Sequence, residues 1–327
     1  MTYLLRRLEF FVITLWAALT INFILPRLMP GSPAEAMLAH FHGKVSPQAI
    51  KPMEIAFGIN TNQSVVQQYL EYMVNTARGD LGLSIAYFPQ SVGQSIMLAL
   101  PWTVALVGVA TVIAFVLGTL VGILSAWRRG GVLDGVLPTV FIVVSAFPYF
   151  WLGLILIFVF AFTLKWFPLF FGYDINLTIG FSWDFVSSAL AHAILPAFTI
   201  VITSIGGWIL TMRNTMITTL AEDYVKMARA KGLSPVRIML TYAARNAILP
   251  NLTGFAMSLG FVISGALLVE IVFNYPGLGL MLLNAVTTED FALMQGLFLL
   301  ITVAVLLAVL AADFVTAWLD PRTREPS

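Results

Sequence analysis

Cysteine is absent from all 327 residues. That excludes disulfides, iron–sulfur clusters and thiolate zinc sites, and it leaves the redox compartment open. Charge is also scarce. Lys, Arg, Asp and Glu make up 10% of the chain, where a soluble protein carries about a quarter. Apolar residues reach 59%, too many for the remaining polar groups to cover a compact body in water. The charges cluster between long neutral runs, as in a polytopic membrane protein. Soluble enzyme folds are thereby excluded. Of the three histidines, His40 and His42 are i, i+2 neighbours in a polar stretch and His192 stands apart. None has carboxylates at metal-ligand spacing, so no metal is assigned. There is no G-x-S-x-G elbow, H-E-x-x-H pair or G-x-x-x-x-G-K-[ST] phosphate loop. The chain is therefore not expected to be an enzyme, and any ATP hydrolysis must come from another subunit.

Crossing about 30 Å of hydrocarbon takes about 20 helical residues. Six apolar runs qualify, near 8–28, 102–126, 136–164, 190–212, 251–272 and 292–318. The second and third are uncharged, whereas Glu9, Arg27, Glu270 and Asp313 lie near the ends of others, where charged side chains can reach the interface. The first run follows Arg6 and Arg7, is about 20 residues long as a span requires, and reads as a retained anchor.

Six crossings place both termini on one side. If that side is the cytoplasm, it holds twelve of the 17 basic residues: Arg6, Arg7, Arg128, Arg129, Arg213, Lys226, Arg229, Lys231, Arg237, Arg245, Arg322 and Arg324. Arg27, Lys44, Lys51, Arg78 and Lys165 remain outside. The positive-inside rule thus favours cytoplasmic termini, with 29–101, 165–189 and 273–291 external. The expected fold is an all-α membrane protein of about six spans. It comprises an anchor helix (1–28), an external cap (29–101), a core (102–319) with a cytoplasmic loop (213–250), and a tail (320–327). Val65, Tyr69, Tyr72 and Met73 recur at helical spacing within the cap.

Mid-span polarity is limited to groups such as Asn22, Thr199, Thr203, Ser204, Ser258 and Ser264. None cycles a proton near neutral pH, which argues against a proton-driven secondary transporter.

In the 213–250 loop, Met216, Leu220, Tyr224 and Met227/Ala228 follow the i, i+4 rule of an amphipathic helix. Gly232 is a helix stop, and Ser234 before Pro235 is an N-cap with proline at the first helical position. Val236, Met239/Leu240, Ala243 and Ala247 form the stripe of a second helix. The corner between the helices, flanked by Arg229, Lys231 and Arg237, suits a groove on a soluble partner. Periodicity alone leaves an interfacial helix pair with ordinary inside charges as an equal reading.

The stretch DYVKMARAKGLSP (223–235), followed by RNAILP (245–250), resembles the coupling motif of ATP-binding-cassette importer permeases, specifically the dipeptide/oligopeptide/nickel branch. Lys226, six before Gly232, stands where the general motif has an acid. Further stretches resemble the same branch in order: LRRL (5–8), PGSP (30–33, with Ser32 in place of the usual Asp), RGDLGLS (78–84), LPWT (100–103), EIVFNYPGLG (270–279), Asp290, Gln295-Gly296, and DPR (320–322). The resemblance implies ATPase coupling through Tyr224, Ala228, Arg229, Ala230, Lys231, Gly232, Ser234, Pro235, Arg245, Asn246 and Pro250. It implies a second homologous permease, two ATP-binding subunits that hold ATP and Mg, and an external solute-binding protein. It implies the prokaryotic cytoplasmic (inner) membrane and bilayer lipid as surroundings, no cofactor in this chain, and no nucleic-acid partner. Di- and oligopeptides are the expected cargo. Small oligosaccharides are the alternative, because AFPYFW (146–151) and KWFPLFFGYD (165–174) also resemble sugar-carrying members. Trp151, Trp166 and Glu270 are the candidates for the translocation path. The tryptophans also suit an interfacial belt, and Glu270 also suits a structural hydrogen bond.

Overall fold

The computed structural model describes residues 2–28, 63–263 and 266–319. The 30–33 turn, His40, His42, Ser264, the tail 320–327 and the first half of the expected cap lie outside the described residues.

Helix α1 (Thr2–Ile24) tightens into a 3-10 turn (Leu25–Leu28). Helices α2 (Val65–Ala77) and α3 (Val92–Trp127) both open on capping boxes. Ser64 Oγ accepts from Gln67 N while Gln67 Oε1 accepts from Ser64 N, and Ser91 and Gln94 repeat the exchange, so each helix start has its free N–H groups covered. Next come α4 (Val132–Ser145), α5 (Tyr149–Leu156, widening to a π-helix over Ile157–Thr163) and α6 (Trp183–Leu220), which Ser182 caps through Phe185 N. A short α7 (Asp223–Ala230) precedes the helical run 235–247, called α8 below. That run begins as Pro235–Arg237, widens to π over Ile238–Ala244 and closes as Arg245–Ala247. Helices α9 (Leu249–Phe261), α10 (Leu267–Val272), α11 (Leu278–Thr287) and α12 (Phe291–Leu319) complete the order.

All six apolar runs fall on helices, and the all-α class is borne out. Among the described residues the one β-type pairing is an isolated bridge, Leu83 to Ser91. By length and composition, Val92–Trp127, Trp183–Leu220 and Phe291–Ala311 can cross a membrane, and α4 with α5 adds a fourth crossing if the bent pair is one span. Leu8–Ile24 and α11 are shorter apolar helices.

Four expectations are corrected in detail. The run 136–164 is broken, with its halves bent by 97°. Pro148 has no N–H to donate and crowds Phe147 out of helical geometry. The run 251–272 is divided between α9 and α10. The first helix of the loop does not start near Arg213: α6 continues to Leu220, and Glu222 (φ −68°, ψ 148°) restarts the chain as α7. Thr218 and Thr219 both bond back to the carbonyl of Thr215, a local competition common where helices end. The boundary expected at 101 also falls inside α3, which carries Pro101 in its interior.

The bundle is built on the seam between α3 and α6. A Cβ at Gly118 would lie 3.1 Å from the Ile205 carbonyl oxygen, and one at Gly122 would lie 2.7 Å from Met212 Cβ and 2.8 Å from the Ile209 carbonyl oxygen. Gly206 does the same for α4, whose Phe141 carbonyl oxygen would be 2.8 Å from an added Cβ. These are contacts between backbones that only glycine permits. Asn251 Nδ2 ties α9 to the seam by donating to Thr119 Oγ1 and the Trp208 carbonyl, each at 3.2 Å. At one end of the seam Val92, Ile96 and Ala99 of α3 pack with Leu278, Met281 and Ala285 of α11 and Leu293, Met294 and Leu297 of α12. At the other end Ile123, Ala126, Met212 and Met216 pack with Ala243, Ala244 and Ala247 of α8.

Replacing Gly122 with Leu should destabilise the bundle by about 2 kcal/mol or more, because the atoms it meets include backbone and cannot swing aside. The check is thermal unfolding of the detergent-solubilised chain beside Gly207→Leu, since a Cβ at Gly207 meets nothing within 4 Å. Equal melting of the two variants would mean that the seam opens at Gly122.

Candidate functional site

At the 221–250 end of the bundle the chain makes a sharp corner. Helix α7 ends where Lys231 N bonds to the Met227 carbonyl and Gly232 N to that of Arg229. Gly232 then takes φ +72°, a left-handed conformation that a side chain would strain. Ser234 is extended, Pro235 occupies the first helical position of α8, and Ile238 N bonds to the Ser234 carbonyl. The stop and start signals are therefore where the sequence puts them, although the Ser234 hydroxyl makes no capping bond.

Beneath the corner lies a small core of Val225, Ala228 and Ile238, lined by Trp127, Leu220, Leu233 and Tyr242. The expected stripes need correction here. Tyr224, Met227, Val236 and Leu240 are exposed, whereas Val225 and Ile238 are buried. Ala228, which the first stripe offered beside Met227, does face the core, and the break at 221–222 shifts the helical phase enough that Val225 rather than Tyr224 joins it. Of the eleven residues singled out for coupling, Ala228 is buried, and Tyr224, Arg229, Ala230, Lys231, Gly232, Ser234, Pro235, Arg245, Asn246 and Pro250 are exposed. Two of them meet across the corner: Asn246 Nδ2 donates to Tyr224 Oη at 3.0 Å. Lys226 pairs with Asp223 at 2.9 Å and holds that carboxyl below the ordinary carboxylate range.

The sequence reading missed a charge pair next to this corner. Arg213, near the end of α6, pairs with Asp134 in the first turn of α4. Asp134 also accepts from Ser125 Oγ at 3.2 Å and Gly130 N at 2.9 Å. One carboxylate thus joins the end of α3, the turn after it, α4 and α6.

The other end of the bundle is organised by two buried carboxylates. Glu270 is fully buried. Its Oε1 accepts from Thr103 Oγ1 at 2.8 Å, and its Oε2 accepts from Gly279 N at 2.6 Å. Thr103 Oγ1 in turn accepts from Leu278 N at 2.8 Å. A Cβ at Gly277 would strike this carboxylate, and one at Gly279 would lie 2.8 Å from Oε2. The glycines of EIVFNYPGLG therefore make room for the stretch's own glutamate. Asp290, also fully buried, accepts from Ser84 Oγ and Ala86 N on one oxygen and from Leu293 N on the other. It fastens the segment before α3 to the start of α12.

The three path candidates do not share one environment. Glu270 is sealed, whereas Trp151 is exposed and stacked on Phe147 at the Pro148 bend, and Trp166 is exposed beside Phe160. Glu270 thus has the structural hydrogen bonds that its position called for.

Long apolar helices, a glycine seam and an exposed basic corner define an integral membrane protein of the helical-bundle class. The family model described as binding-protein-dependent transport system inner membrane component matches residues 118–325. The chain belongs to this family. It is 34% identical to the di/tripeptide transport system permease protein of Pseudomonas aeruginosa, with 99% of each chain covered. It is 33% identical to the oligopeptide transport system permease protein of Bacillus subtilis, with 98% of each covered. It is 30% identical to the oligopeptide transport system permease protein of Haemophilus influenzae, covering 98% of this chain and 99% of that relative. The resemblance drawn from the coupling-like and EIVFNYPGLG stretches is borne out.

Glu270→Gln keeps size and shape but turns an NH₂ toward a neighbouring donor. It should destabilise the chain by about 1–3 kcal/mol, close to the loss from Glu270→Ala. Thermal melting of both variants in detergent is the check, and a Gln variant as stable as the parent would show that the two acceptor bonds do not hold this end together.

Proposed function

We propose that this chain is a membrane-spanning permease subunit of an ATP-driven importer for di- and oligopeptides. The observation that carries the reading is the corner at Gly232–Pro235, exposed and basic on the outside and packed on its inner side against α3 and α6 through Trp127 and Leu220. The names of the relatives, which are di/tripeptide and oligopeptide permeases, support the cargo.

In this reading the chain crosses the inner membrane about six times with both termini cytoplasmic, and it pairs with a second homologous permease. Two ATP-binding subunits dock below and hold ATP and Mg, while an external binding protein delivers peptide to the opposite end. This chain itself performs no catalysis. Tyr224, Arg229, Ala230, Lys231, Ser234, Pro235, Arg245, Asn246 and Pro250 present the docking surface, Gly232 sets its turn and Ala228 anchors it from within. Closure of the ATPases on ATP displaces the corner. The displacement passes to α3 and α6 through the shared alanine and methionine core, and the cavity between permeases changes the side on which it opens.

The test is recovery of the tagged chain from its native membrane in mild detergent, with partner stoichiometry and ATPase activity measured on the eluate. One homologous permease, two ATPases and hydrolysis stimulated by a peptide-loaded binding protein are expected. Recovery of the chain alone, moving solute in liposomes without ATP, would overturn the assignment. Within the assembled transporter, Arg229→Glu and Gly232→Pro should leave insertion intact and lower peptide uptake at least tenfold per ATP hydrolysed. Parental uptake by both variants would remove the corner from the mechanism.

A further inference from the structure

Helix α4 is held differently from the long helices beside it. Among its described residues Pro138 alone is buried, while Val136, Val140 and Val143 are exposed. Apolar side chains are at home against acyl chains, so they do not fix where such a helix lies. Two contacts with α6 do. Phe141 meets the backbone at Gly206, and Asp134 meets Arg213. The residue numbers run in opposite directions, so the two helices are antiparallel and touch at two levels. The contact at Gly206 is close packing, whereas the one at Asp134 is charged and directional. Arg213 Nε donates to Asp134 Oδ1, which also accepts from Ser125 Oγ at 3.2 Å, and Oδ2 accepts from Gly130 N at 2.9 Å. Ser125 is itself buried, at the end of α3. Among the described residues this is the one ion pair between different helices, since Lys226 and Asp223 pair within α7.

The position of Arg213 on α6 gives the pair a mechanical meaning. Met212 and Met216 are fully buried against Ala243, Ala244 and Ala247 of α8, beneath the corner. One residue turns a helix by about 100°, so the same turn of α6 faces α8 with Met212 and α4 with Arg213. A displacement that reaches α6 from the corner therefore arrives at the turn that holds α4. Helix α4 then runs to the Pro148 bend. Beyond the bend α5 is anchored in a separate core, where Ile157 and Ala161 pack with Leu106, Leu195 and Phe273. The two halves of the bent pair are thus fastened to different parts of the bundle, α4 mainly through one carboxylate and α5 through apolar packing.

We propose that Asp134 and Arg213 are positioning residues of the transport cycle: through them α4 follows α6 when the corner moves, and the change of angle falls at the Pro148 bend. This role rests on the importer reading above and adds to it the pair that carries the movement from α6 to α4. The test has two arms. In the first, cysteines replace the exposed Val140 of α4 and Met227 of α7 in the otherwise cysteine-free full-length chain. Nitroxides are attached, and the distance between them is measured by pulsed electron paramagnetic resonance in phosphatidylcholine nanodiscs. Arg213→Ala and Asp134→Ala should each broaden the distance distribution, the double variant should match either single one, and Arg213→Lys should keep the parental width. Monodisperse elution and a helical spectrum check that each variant folds, and Arg213→Gln and Asp134→Asn stand in for an alanine variant that does not. In the second arm, uptake per ATP hydrolysed by the assembled transporter should fall about fivefold in both alanine variants at unchanged subunit stoichiometry, and recover in Arg213→Lys. A parental distribution in Arg213→Ala would show that the pair does not hold α4, and a broadened one with parental uptake per ATP would show that α4 need not follow α6. Either result overturns the proposal. Absence of ATP-driven uptake by the parent would overturn the importer reading and the transport role with it, whereas the distance arm needs neither ATP nor cargo and would still decide whether the pair positions α4.

Discussion

Because Gly118 and Gly122 carry no side chains, the backbone of α6 lies within van der Waals reach of α3, and the remaining helices are arranged along that seam. In a bilayer, apolar side chains gain nothing by leaving lipid for one another. Close backbone packing and hydrogen bonds must supply the association instead. Both seam helices are long, with 36 and 38 residues. At 1.5 Å per residue each reaches about 55 Å, well beyond about 30 Å of hydrocarbon. Their ends therefore project past the apolar layer, and the polar work of the structure is concentrated there.

That work is done by carboxylates used as acceptors. Short helices begun by tight turns leave N–H groups without partners, and a buried N–H without an acceptor is costly. Glu270 covers the start of α11 through Gly279 N, and Asp290 caps α12 through Leu293 N. Each then uses its other acceptor capacity to hold a residue far away in sequence, Thr103 in one case and Ser84 in the other. A negative group at a helix N-terminus also benefits from the aligned peptide dipoles. At the opposite end Asp134 has a cation, Arg213, which suits a site within reach of water. The two ends are therefore built differently, one from acceptor and backbone donor, the other from an ion pair above an alanine-rich core.

What was legible in the sequence was local. Hydropathy located the apolar runs because burial in lipid is a property of about 20 consecutive residues. The Gly232 stop and the Pro235 start were legible because positive φ and a missing N–H act on single residues. The bend at Pro148 was written in the chain, but the apolar run continued across it and concealed it. The i, i+4 stripe extrapolated from Met216 reached Ala228, which is buried, but failed at Tyr224 and Met227, because helical phase shifts where a helix restarts and Val225 faces inward in place of Tyr224. The pairings Glu270 with Thr103 and Asp134 with Arg213 join residues 167 and 79 positions apart. Nothing in a single sequence specifies such distances, although the EIVFNYPGLG stretch did mark one partner and the glycines that shelter it.

The construction of the corner bears on how force could pass through it. Trp127 and Leu220 line both the core under α7 and the core that joins α3, α6 and α8. A displacement of α7 that left α3 and α6 in place would have to open a void around these two side chains, and packed interiors resist voids because the lining atoms lose their contacts. Rotation of α7 about the Gly232 hinge is further opposed by the hydrogen bond between Tyr224 and Asn246, which bridges the two arms. Beyond the core, Asp134 fastens the end of α6 to α4 and to the turn that follows α3. A push on the corner is therefore met by a body that includes the ends of three long elements. The helical hydrogen-bond ladder is interrupted instead at the Pro148 bend, where the two halves meet at 97°. In the importer proposed above, a stiff lower half working against such a break would supply the division of rigidity that alternating access requires.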